Sequence, residues 1–101
     1  MESFKYNSSA IPTHRIIHIV NPKDRITSNI MTLYERTEIV SIRAAQIQNG
    51  AKIYTDVKNL SDPIKMAEKE IDDRKCPLMI RRQINDFEAE DWEVNEMGYY
   101  R

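Results

Sequence analysis

Arg25-Ile26-Thr27-Ser28-Asn29-Ile30-Met31-Thr32-Leu33-Tyr34-Glu35-Arg36, continued by Arg43-Ala44-Ala45-Gln46-Ile47, is the stretch on which the fold turns. Thr32 followed three residues later by Glu35 is a capping box, each side chain satisfying an amide that the first helical turn leaves unpaired. The spacing predicts a helix over 33–48, stopped by Asn49-Gly50, two residues that tolerate the left-handed conformation of a helix end. Leu33, Val40, Ala44 and Ile47 recur at the four-three spacing of a packing stripe. Arg36 and Arg43 run along one edge of it. A smaller stripe of Tyr34, Ser41 and Ala45 lies alongside, so the helix is expected between the domain's own core and something else. Guanidiniums beside an apolar seam predict a docking element rather than a reaction centre.

Working outward, residues 1–13 are polar and are expected to be a mobile leader. The β-branched run Arg15–Val20 predicts a short strand, and Asn21-Pro22-Lys23-Asp24 a turn, because Pro22 fixes its own φ and disfavours helix before it. Ala51–Thr55 alternates as a brief strand. Asp62 caps and Pro63 opens a second helix over 63–74, with a thin apolar stripe of Ile64, Ala67 and Ile71 and an i,i+4 pair from Glu70 to Arg74. Cys76–Ile84 reads as a strand, Asn85-Asp86 as its turn, and Glu90–Val94 as the return strand with Trp92 and Val94 facing inward. The expected fold is α+β: two main helices with a small antiparallel C-terminal hairpin, one small domain over 25–101 behind a flexible or extended leader over 1–24.

A chain of 101 residues forms one domain, which at this size buries about two thirds of its unfolded surface. Net charge is -1, which argues against a dedicated nucleic-acid grip. The charge is nevertheless segregated. Residues 1–60 hold eight Lys/Arg against five Asp/Glu and residues 61–101 seven against eleven, an asymmetry expected to orient the chain on a partner. One cysteine rules out an internal disulfide, no apolar run approaches the roughly 20 residues that span a bilayer, and the first residues lack the apolar core of a signal peptide. A soluble, intracellular protein is expected.

Residues able to do chemistry are sparse. His14 and His18 stand in an extended segment with no further ligands nearby and read as surface or packing residues. Cys76 follows Arg74-Lys75, which would activate a thiol, yet no base is close in sequence, and a buried strand cysteine is the preferred reading. Two glycines cannot build a phosphate-cradling loop. The acidic run Asp86, Glu88, Glu90, Asp91, Glu93 and Glu96 lacks the glycine and spacing of a calcium loop and reads as a solvated hairpin or a docking edge. No catalytic residue, metal site or cofactor is expected. Arg36, Arg43, Arg81 and Arg82 are either solvent-facing ends or arginine forks committed to an interface or to internal ion pairs, the latter favoured because Arg36 and Arg43 border the apolar stripe.

Arg25-Ile26-Thr27, Met31–Arg36 and Arg43–Ile47 closely resemble the small common subunit of DNA-directed RNA polymerases, the family of bacterial omega, archaeal RpoK and the sixth subunit shared by the three eukaryotic nuclear enzymes. Asp62-Pro63-Ile64, Glu70-Ile71, Arg74–Arg82 and Glu90-Asp91-Trp92 resemble its archaeal and eukaryotic branch. The likeness covers residues 25–97. It implies a non-catalytic subunit that wraps the largest polymerase subunit near the base of the clamp, promotes its assembly and stability, contacts other subunits, and meets DNA only through the complex, with no membrane and no small-molecule substrate. Carried over by position, Arg25, Thr32, Tyr34, Glu35, Arg36, Arg43, Ala44 and Gln46 belong to the first-helix motif. Asp62 and Pro63 open the second helix, and Pro77, Arg81, Arg82 and Trp92 belong to the hairpin. With Val40 and Ile47 of the stripe, these are the candidate interface or motif residues. The short, mildly basic leader and the wording of 25–29 look more like versions from large DNA viruses, which implies a nuclear location for a cellular protein and a cytoplasmic factory or virion for a viral one. An independent adaptor or transcription regulator using the same fold is the alternative.

Overall fold

The structure, a computed structural model, describes residues 4–7 and 18–99. Elements follow in the order β1 (Phe4–Asn7), β2 (His18–Ile19), β3 (Ile30–Met31), α1 (Leu33–Gln48), α2 (Pro63–Asp72), β4 (Leu78–Gln83), β5 (Glu88–Glu93) and β6 (Gly98–Tyr99). β4 and β5 form the antiparallel hairpin read from the sequence, with Ile80 opposite Trp92 and Arg82 opposite Glu90. β1 adds in parallel beside β4 and β2 in parallel beside β5, so the four-stranded sheet runs β1-β4-β5-β2 and is mixed. It draws strands from both sides of the expected boundary at residue 24. A separate parallel pair joins β3 to β6. The fold is α+β.

Local chemistry sets the element ends. Thr32 Oγ1 accepts from Glu35 N and Glu35 Oε1 accepts from Thr32 N, both at 3.0 Å, closing the capping box. Gly50, at φ +94, carries the chain out of α1 through the left-handed region, where an L side chain is strained. Asp62 accepts from Ile64 N at 2.9 Å and Pro63 occupies the first position of α2. In the hairpin turn, Asn85 Oδ1 accepts from the amides of Phe87 and Glu88 at 2.8 and 2.9 Å. Asn21 likewise caps a 3-10 turn over Pro22–Asp24 by accepting from Lys23 N.

The core gathers Met31, Ile39, Ile71, Cys76, Leu78, Ile80, Trp92, Val94 and Met97 between the helices and one face of the hairpin. Several expectations change here. The face that α1 buries is Glu35, Ile39, Arg43 and Ala44, about 100° round the axis from the expected stripe. Leu33 is 80% exposed, and of that stripe only Ala44 is fully buried. The brief strand at Ala51–Thr55 is absent: this segment is a loop whose Tyr54 amide donates to Glu70 Oε2 at 2.9 Å instead of to a ladder. α2 ends at Asp72 rather than Arg74. Arg74 lies past that end at φ +57, and its Nη1 donates to the carbonyls of Asn95 and Met97. The expected Glu70–Arg74 pair therefore does not form, because Glu70 points inward to Arg43.

Candidate functional site

Three arginines join stretches of chain far apart in sequence. On α1, Arg43 lies buried against Glu70 of α2, itself fully buried, donating through Nε to Oε1 and through Nη2 to Oε2 at 3.0 Å. Its Nη1 donates to Gln46 Oε1 at 3.0 Å and Nη2 to the Lys52 carbonyl at 2.6 Å. Two helices and the following loop thus meet on one guanidinium, whose proton the Glu70 hydrogen bond holds more firmly than usual. Such forked geometry fits the planar guanidinium and not a lysine.

Arg82 of β4 grips Glu35 through Nε and Nη2 at 2.9 and 2.8 Å, and donates to the carbonyls of Ser28 and Ile30. Glu35 therefore works twice, as the cap of α1 and as the anion for Arg82. Arg25 lies over the Trp92 ring, 4.1 Å from its centroid, and donates to both carboxylate oxygens of Glu96 and to the Asp91 carbonyl. Beside it, buried Glu90 accepts from the Ile26 amide at 2.6 Å, the Thr27 amide at 3.2 Å and the Thr27 hydroxyl, and Trp92 Nε1 donates to Thr27 Oγ1 at 3.0 Å. Burial pushes the Glu90 carboxyl up, but bonds from Thr27, Ile26 and Trp92 outweigh it and hold the group below the ordinary range. The hydrogen bond from Arg25 lowers Glu96 in the same sense.

Arg81 pairs with Asp91 directly across the hairpin at 2.9 Å, and Arg36 reaches Asp72 at 3.7 Å. The basic first half and acidic second half of the chain thus meet internally: Arg25 with Glu96, Arg36 with Asp72, Arg43 with Glu70. Part of the charge asymmetry expected to orient a partner is taken up in folding. The acidic run divides: Glu90 is interior and Asp91 and Glu96 are ion-paired, while Asp86 and Glu93 are exposed, as a solvated hairpin requires. Thr32, Asp62 and Pro63 start helices, and Pro77, half-buried, leads into β4.

One open groove is largely apolar. Leu33, Val40 and Ile64, with Arg36 and Glu68 at the rim, line a groove of about 360 Å³ between α1 and α2. Tyr34 and Ile64 are 64% and 52% exposed. Ile47 is half-buried. Among the described residues no group of three His, Cys, Asp or Glu can hold a metal, and no helix is long and apolar enough to cross a membrane. His14 lies outside the described residues and His18 is exposed. Cys76 is buried, and burial pushes its thiol up to about 11, far from a reactive thiolate. Glu70 and Glu90 were read from sequence as a surface pair member and part of an acidic run, not as the buried anchors they are. Glu70 had a signal: it stands one turn from Ala67, at the edge of the apolar stripe, where a buried carboxylate requires a cation.

Two helices and a mixed sheet packed on one core, with an open groove between the helices, define the class as a small α+β domain. Its sequence places it further. The RNA polymerase Rpb6 family model matches residues 25–78. DNA-directed RNA polymerases I, II, and III subunit RPABC2 of Saccharomyces cerevisiae is 44% identical over 77 residues, 75% of this chain and 50% of the relative. The protein of the same name in Schizosaccharomyces pombe is 41% identical over 78 residues, 77% of this chain and 55% of the relative. DNA-directed RNA polymerases II and V subunit 6B of Arabidopsis thaliana is 40% identical over 75 residues, 74% and 52% of the two chains. The chain belongs to the RNA polymerase Rpb6 family. It spans about half the length of the curated relatives it matches.

Proposed function

We propose that this chain is a non-catalytic subunit of a multi-subunit DNA-directed RNA polymerase, seated on the largest subunit near the base of the clamp. There it promotes folding and assembly of that subunit and meets DNA only through the complex. The observation that carries the reading is the family match over 25–78 together with 44% identity to a curated polymerase subunit. The relatives are eukaryotic, so the proposed location is the nucleus, or a cytoplasmic factory or virion should the chain be viral.

The proposed contact face is the α1–α2 groove with Leu33, Tyr34, Val40, Ile47 and Ile64. Covering a side chain the size of leucine contributes about 1.5–3 kcal/mol, so a few such anchors suffice for stable docking once ordering costs are met. Arg25, Glu35, Arg43, Ala44, Gln46, Arg82 and Trp92 act one step back, by holding that face in shape. Affinity purification of the tagged full-length protein from its native source, with identification of the retained chains, tests the reading. The two largest polymerase subunits are expected in equimolar amount. Recovery of the protein without them overturns it.

A further inference from the structure

A second recess, of about 260 Å³, opens where β2 and the turn after it meet the tip of the β4–β5 hairpin. Backbone bonds build it: His18 N donates to the Phe87 carbonyl at 2.7 Å and Val20 N to the Ala89 carbonyl at 2.9 Å. Val20, Ile26 and Ile84 supply apolar walls, while Asp24 and Glu88 place carboxylates on the lining. No lysine or arginine lines the recess, and among the described residues neither Asp24 nor Glu88 is ion-paired. Glu88 Oε1 accepts only from Asn85 Nδ2, at 3.0 Å, and Glu90 below it is already saturated by the Ile26 and Thr27 amides. Ile26 of the lining is 76% exposed, and so to 65% is Phe87, whose carbonyl takes the His18 amide. Apart from Ile26, the lining residues lie outside the 25–78 segment that defines the family.

We propose that this recess is a second docking site, which takes a lysine or arginine side chain from an apolar-flanked segment of a partner protein. Its volume lies just under the roughly 300 Å³ at which small-molecule pockets begin and leaves room for one long side chain. Apolar walls suit the methylene stem of such a residue, and the two carboxylates suit its cationic head. Phe87 and Ile26 seat the apolar neighbours in the partner's chain. Nucleic acid is disfavoured by like-charge repulsion from Asp24 and Glu88. The site is separate from the α1–α2 groove and stands whether or not the polymerase reading does.

Nuclear magnetic resonance titration of the full chain with capped peptides Ala-Leu-X-Leu-Ala, where X is arginine, lysine, norleucine or glutamate, decides the matter. The arginine and lysine peptides should shift resonances of Val20, Ile26, Ile84 and Glu88 and bind about tenfold more tightly than the norleucine peptide, and the glutamate peptide should not bind. D24N/E88Q should erase that tenfold preference while the rest of the spectrum stays as in the unaltered chain. Equal binding of the norleucine peptide, a preference that survives D24N/E88Q, shifts confined to other surfaces, or no shifts at all would each overturn the proposal. So would displacement of the basic peptides by single-stranded RNA acting on the same residues.

Discussion

A guanidinium and a carboxylate taken together out of water, as Arg43 and Glu70 are, lose hydration that only mutual contact and further hydrogen bonds offset. Here the Lys52 carbonyl, Gln46 and the Tyr54 amide supply those bonds. Glu70→Ala should therefore destabilise the chain by about 3–5 kcal/mol, because it strands a buried charge, whereas R43M/E70L should lose considerably less. Urea unfolding of the two variants and the parent measures both. Glu90 and Glu96 sit below the ordinary glutamate value, about 4.3 in an unfolded chain. In acid the unfolded state thus binds more protons than the folded one. Their contribution is present in full above that value and is lost as pH falls through the lower folded values. The urea midpoint should drop on acidification, and Glu90→Gln should flatten part of that drop. At this scale the types of residue were legible and their partners were not. Arg25, Arg43 and Arg82 stood out in sequence, but Glu96, Glu70 and Glu35 lie 71, 27 and 47 residues away from them.

At the scale of the element, α1 begins and ends for reasons contained in a few neighbouring residues. Thr32→Ala removes one side of the capping box and should cost about 1 kcal/mol. Glu35→Gln should cost more than a cap alone, since it also takes the charge from Arg82. Gly50→Ala meets nothing within 4 Å, so its cost of about 1 kcal/mol should come from the backbone at φ +94 and not from crowding. Thermal midpoints of the three variants check this ordering. Caps, stop and hairpin turn were readable beforehand because each is closed by bonds spanning two or three residues. The buried face of α1 was not, because two polar residues, Glu35 and Arg43, occupy core positions that a hydrophobic pattern assigns to solvent. The loop after α1 escaped for a related reason: a tertiary carboxylate, Glu70, takes the amide that an alternating sequence would offer to a strand.

Across the whole molecule, the division between side chains that hold the fold and side chains that remain available decides which variants inform on docking. Leu33 and Ile64 are exposed, so L33D/I64D should leave the unfolding midpoint nearly unchanged and reduce recovery of the large polymerase subunits at least about tenfold. Quantitative co-purification beside a denaturation curve reads both. A charged residue at Ala44, by contrast, enters the interior and would confuse loss of binding with loss of folding. The acidic recess at the hairpin tip belongs to this scale too, since β2, a turn and two strand ends make it jointly.

By itself the sequence determined the class α+β, the start and stop of the first helix, the hairpin and the family, because caps, turns and contiguous motifs are written in neighbouring residues. Only the folded arrangement brought Arg25 to Glu96, Arg36 to Asp72 and Arg43 to Glu70, and left Leu33 and Ile64 uncovered. Pairings over tens of residues depend on where helices and strands come to lie in space, and a buried carboxylate accepts whichever donors that arrangement brings within reach.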